Sequence, residues 1–128
     1  MSDEIVADAS AVLAALKGEP FNKIDPTELV RCSISSVNFS EVLAKLHDDG
    51  LTNTQADAAV ARLDLQVVSF DEAQAHTTAQ LRIATRQAGL SLADRACLAL
   101  GLALGRPVVT ADRIWASLDI GVEVQLIR

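Results

Sequence analysis

"SLADRACLALGLALGRPVVTAD", residues 91–112, sets a helix signal directly against a strand signal. Residues 91–105 predict a helix that is apolar over nearly its whole surface, so it belongs deep in the core. Residues 106–112 then predict a strand whose short apolar run shows no polar alternation. A strand of that kind is covered on both faces, as in a parallel sheet. The run ends on an acid, Asp112.

The beginning of the chain repeats this arrangement in the other order. "EIVAD", residues 4–8, predicts a strand that ends on Asp8, and a helix follows over about 9–17. "GEP" at 18–20 stops that helix, because Gly and Pro continue helices poorly. "DPTELVR" at 25–31 places Pro at a first helical position. Residues 32–50 begin β-like or irregular and become helical near Asn38. Phe39, Val42, Leu43 and Leu46 fall on one stripe there, and Gly50 closes it. A further helix is expected over 52–63, a strand over 65–70, and one long helix or two pieces over 71–89. After Asp112 a short helix is expected to 118, then a last strand over 122–127. Strands alternating with helices predict an α/β fold, a mainly parallel sheet flanked by helices in three α/β/α layers. Residues 1–128 are expected to form one domain.

The composition agrees with a packed core. Half of the 128 residues are hydrophobic, which excludes a disordered chain. No apolar run approaches the length of a membrane span, and "MSDEIVAD" is acidic rather than basic, unlike a signal peptide. A cytoplasmic location is expected. Cys32 and Cys97 lack metal-ligand spacing and are expected to be small apolar fillers. The net charge of −6 argues against broad electrostatic attraction to nucleic acid. A cleft that concentrates acids changes this balance: with four of the 17 acids set aside, 13 remain against 11 bases.

Four acids recur at element junctions. Asp8 and Asp112 can each cap the helix that follows, while Asn38 with Glu41 and Ser91 with Asp94 have capping-box spacing. The same positions carry a second implication. Asp8 and Asp112 end parallel strands, the rim where open α/β sheets place ligands, and helix first turns holding Glu41 and Asp94 can face that rim. Carboxylates brought together there repel unless a proton or a cation intervenes. An all-carboxylate site suits Mg²⁺ or Mn²⁺, one ion or two, and such ions support phosphodiester hydrolysis.

Other groups lack a comparable pattern. His47 and His76 have no ligand-spaced partner, and Ser33, Ser35 and Ser36 lack the strained setting of a hydrolase nucleophile. Arg95 and Arg113 follow proposed metal acids and suit either a phosphate or a surface ion pair. Trp115, near the same rim, suits packing against the sheet edge better than stacking on a base.

"IVADASAVLAAL", "SSVNFSEVLAKL", "GLSLADRACLALGLALGRPVVTADRIW" and "GVEVQLIR", in this order and at these separations, resemble the PIN domain, specifically the VapC-type toxin ribonucleases of bacterial toxin–antitoxin pairs. The resemblance spans essentially the whole chain. It implies an Mg²⁺- or Mn²⁺-dependent endoribonuclease with Asp8, Glu41, Asp94 and Asp112 as its four acids. Asp8 and Asp94 would be the principal metal ligands, with Glu41 and Asp112 completing the site. Ser10 and Thr110 match family hydroxyls that hold carboxylates or metal waters, and Asn38 matches the family helix, with capping as its local alternative. The resemblance also implies a homodimer and a small antitoxin lying near the metal site. Two alternatives remain at this point: a metal-dependent phosphatase or other phosphoester hydrolase, and a non-catalytic α/β domain that binds a partner.

Overall fold

The computed structural model describes residues 4–128. Five strands form one parallel sheet: β1 (Val6–Ala7), β2 (Ser33–Ser35), β3 (Gln66–Val68), β4 (Val108–Thr110) and β5 (Val124–Leu126). Their order across the sheet is β3-β2-β1-β4-β5, with Val6 opposite both Ser33 and Val108. Val6, Ala7, Val108 and Val109 are fully buried, as their unbroken apolar character requires.

The helices are α1 (Ala9–Lys17), α2 (Ser36–Asp48), α3 (Asn53–Ala61), α4 (Glu72–Ala84) and α5 (Leu92–Leu104). Short 3₁₀ turns occupy Pro26–Leu29, Arg86–Ala88 and Arg113–Ser117. The segment 71–89 is therefore in two pieces. Two cores lie against the sheet. One gathers Val12, Leu29, Ile34, Val42 and Leu46, and the other gathers Leu81, Leu98, Leu100, Val108 and Trp115. Gly101 lets α5 approach β4: a Cβ there would sit 2.6 Å from Val108 Cγ1 and 3.0 Å from Val122 Cγ2.

α2 begins at Ser36, two residues before the expected start. Ser35, the last residue of β2, caps it through its hydroxyl, which accepts from Val37 N–H. The strand thus runs straight into the helix, and a serine that ends one element begins the next. Asn38 is consequently inside the helix rather than its cap. Glu41 lies in the second turn, not the first.

Candidate active site

Asp8, Glu41, Asp94 and Asp112 line one cleft together with Ala9, Ser10, Leu13 and Lys45. The cleft holds about 470 Å³, its open mouth included. It lies at the carboxyl ends of β1 and β4, where the N-termini of α1 and α5 also arrive. Parallel topology produces this convergence: strand ends and following helix starts share one rim.

Three of the acids are held by their own local structure. Asp8 caps α1, its Oδ1 accepting from Ala11 N–H at 2.9 Å. Asp94 closes a reciprocal box with Ser91: Ser91 N–H donates to Asp94 Oδ2 at 3.0 Å, and Asp94 N–H donates to Ser91 Oγ at 3.1 Å. Asp112 Oδ1 accepts from Ile114 N–H at 3.0 Å and caps the last 3₁₀ turn. The capping role and the placement in the cleft therefore coexist at these three acids. At Asp94 and Asp112 the cap engages one carboxylate oxygen and leaves the other for a ligand, whereas both oxygens of Asp8 accept hydrogen bonds. The Glu41 side chain makes no hydrogen bond among the described residues and lines the cleft from the second turn of α2.

Asp8 is the buried member, 5% exposed. Thr110 Oγ1 donates to its Oδ2 at 2.6 Å, and Ser10 Oγ lies 2.8 and 2.9 Å from its two oxygens. Both hydroxyls also accept from the chain beyond β4: Ala111 N–H donates to Ser10 and Asp112 N–H to Thr110, each at 3.0 Å. Ser10 and Thr110 thus tie Asp8 to the segment bearing Asp112. Burial nevertheless pushes the Asp8 carboxyl up to about 6, against the three hydrogen bonds that lower it, with the charge of Asp94 raising it further. Behind the cleft, burial drives the Cys97 thiol well up, and Asp8, Asp94, Cys32 and Glu41 push it the same way. Cys97 is fully buried in the second core and does not line the cleft.

Asn38 is buried between α2 and α5. Its Nδ2 donates to Ala93 O at 2.9 Å, while its Oδ1 has no partner. That bond joins the helix carrying Glu41 to the helix carrying Asp94. Two other side chains point away from the cleft. Arg95 is buried, its Nη1 donating to Thr78 O at 2.9 Å, so it fastens α5 to α4 and is not available to phosphate. Trp115 is wholly buried in the second core and has no face left for a base. Arg113 is exposed. His47 Nδ1 lies 2.9 Å from Leu51 O, and exposed His76 lies 3.8 Å from Glu72. Sequence reasoning missed Lys45 as a cleft residue. Its spacing four residues after Glu41 was the available signal.

Among the described residues, no three acids, histidines or cysteines converge closely enough to hold a metal ion. The donors nevertheless fit a hard divalent ion in kind. They are carboxylates and hydroxyls, and no histidine or cysteine that would favour a softer metal lines the cleft.

The PIN domain family model matches residues 5–121, and the chain belongs to that family. None of the curated proteins matches it. Among solved structures, the chain is similar to DNA-bound VapBC from Salmonella typhimurium, at 20% identity and a TM-score of 0.77, covering 98% of each chain. It is also similar to VapBC2 from Rickettsia felis bound to a promoter DNA fragment, at 15% identity and a TM-score of 0.76, covering 97% of this chain and 98% of that one. A third similarity is to VapC20 of Mycobacterium tuberculosis, a sarcin-ricin loop cleaving toxin, at 14% identity and a TM-score of 0.61, covering 93% and 98%. The parallel five-stranded sheet flanked by helices is the PIN-domain fold. No helix of the described residues is long and apolar enough to cross a membrane.

Proposed function

We propose that residues 1–128 form a single-domain endoribonuclease that hydrolyses RNA phosphodiester bonds with Mg²⁺ or Mn²⁺, acting in the cytoplasm as the toxin of a toxin–antitoxin pair. The observation that carries this is the meeting of Asp8, Glu41, Asp94 and Asp112, from four separate stretches of chain, in one cleft. Membership of the PIN domain family supports a nuclease, and the similarity in fold to VapBC proteins supports an antitoxin partner.

Asp8 and Asp94 are the principal metal-holding residues in this proposal, with Glu41 and Asp112 completing the site. A bound divalent ion lowers the pKa of water and offsets charge on phosphoryl oxygens. The protein's part is to hold the acids in place. Ser10 and Thr110 fix the orientation of Asp8, the Ser91 box fixes Asp94, and Asn38 sets the distance between α2 and α5. Glu41, half-buried and with no hydrogen bond to its side chain, would help position water in the cleft. The antitoxin would inhibit by placing a basic side chain among these acids. We further propose that the toxin is a homodimer.

The test is cleavage of RNA, DNA and a small phosphate ester with and without Mn²⁺, beside calorimetric titration of Mn²⁺. Expected are saturable Mn²⁺ binding and Mn²⁺-dependent RNA cleavage, both lost in a folded Asp94→Asn variant. Turnover of only the small ester would overturn the nuclease proposal. Full metal-dependent activity in Asp94→Asn would overturn the site assignment. Co-purification with the product of the adjacent reading frame, followed by cleavage assays and sedimentation, tests inhibition and the dimer.

A further inference from the structure

The divalent ion proposed above would offset charge at the bond being cut, but the neighbouring phosphates of the polyanion still meet an acidic cleft. Lys45 is the only basic residue among those lining it. It stands one helical turn beyond Glu41 on the same face of α2, about 6 Å along the axis. Despite four carboxylates around the same cleft, no carboxylate lies within ion-pairing distance of its ammonium among the described residues. Lys17 shows the contrast on the neighbouring helix, pairing with Asp49 at 3.0 Å. Lys45 is exposed and its charge is uncommitted. Leu13 of α1 supplies an apolar wall in the same cleft.

We propose that Lys45 binds a backbone phosphate of the RNA next to the bond being cut, positioning the strand across the acids. This rests on the nuclease function proposed above. The ammonium suits the task as a compact, mobile point charge. It offsets the repulsion between RNA and the acids without neutralising any of them. The ordinary alternative is that Lys45, in the last turn of α2, only complements the helix dipole. That role affects stability and leaves RNA affinity unchanged.

The test compares the parent protein with Lys45→Met and Lys45→Arg. Cleavage of ribosomal RNA with Mn²⁺ gives KM and kcat, and fluorescence anisotropy with Ca²⁺ gives affinity for a short mixed-sequence single-stranded RNA. Lys45→Met is expected to raise KM and weaken binding about fivefold to tenfold, with a smaller change in kcat. Its log affinity should fall less steeply with log salt, by about 0.7, the value for one phosphate contact on a single strand. Lys45→Arg should restore most of the affinity, and Mn²⁺ binding should match the parent in both variants. Unchanged KM and salt slope in Lys45→Met, in a parent that does cleave RNA, overturn the role of Lys45 alone. A Lys45→Met protein that cleaves normally but no longer binds the neighbouring-frame product assigns the residue to the protein partner and equally overturns it. A parent that neither binds nor cleaves RNA overturns this proposal together with the function it rests on.

Discussion

Replacing Asp8 with Asn should stabilise the metal-free fold while abolishing activity. The carboxyl is raised from 3.8 to about 6 by burial, opposed by three hydrogen bonds. A raised acid pKa means that the folded state holds its proton more tightly than the unfolded chain does. Below about pH 4 both states are protonated and Asp8 costs nothing. Between about 4 and 6 the unfolded chain ionises first, so stability falls as pH rises. Above about 6 the cost is complete, on the order of 3 kcal/mol at about 1.4 kcal/mol per pKa unit. An asparagine keeps an acceptor for Ala11 N–H and removes the charge, but its amide must face the hydroxyls of Ser10 and Thr110, which then accept instead of donating. Allowing for that mismatch, the expected gain at pH 7.5 is about 2 kcal/mol, or roughly 8 °C in Tm for a domain of this size. Thermal melts in EDTA from pH 4 to 8 provide the assay. At pH 4 the charge cost falls to about 0.5 kcal/mol, less than the mismatch of about 1 kcal/mol, so the gap should close and reverse slightly in favour of the parent. An Asp8→Asn protein that melts at or below the parent at pH 7.5, or a gap indifferent to pH, would refute the reasoning.

Three further substitutions probe the frame around the cleft. Gly101→Ala sets a helix-propensity gain of about 1 kcal/mol against overpacking of about 1–3 kcal/mol; with Val108 Cγ1 only 2.6 Å away the overpacking wins, and the urea midpoint should fall. Ser91→Ala removes the hydroxyl half of the capping box and should cost about 1 kcal/mol in urea melts, with RNA cleavage reduced because Asp94 loses part of its support. Asn38→Asp places a carboxylate against Ala93 O in a buried position, an acceptor facing an acceptor. It should lose about 3 kcal/mol at pH 7.5 and recover part of that on acidification to pH 5, as the new acid takes a proton. Equal stability of parent and Asn38→Asp across that range would refute the described packing.

Much of the site was legible because its local parts are short-range. The boxes and caps at Asp8, Asp94 and Asp112 bind backbone groups two or three residues away, and such bonds leave a spacing pattern in the chain. The alternation of apolar strands and helices likewise determined the α/β class and the parallel sheet, since strands buried on both faces lose their polar alternation. Tertiary structure decided what depends on distant partners. The strand order β3-β2-β1-β4-β5, which brings β1 beside β4 and hence Asp8 beside Thr110, follows from long-range packing that leaves no local period. Asn38 looked like a cap until the β2–α2 junction placed it inside the helix, bonded to Ala93 on α5. Arg95 follows Asp94 directly, yet it turns inward to Thr78, because successive residues on a helix point about 100° apart. Lys45 entered the cleft for the converse reason: four residues after Glu41, it returns to the same face, and only the packing of α2 beside α1 and α5 shows that this face meets the acids.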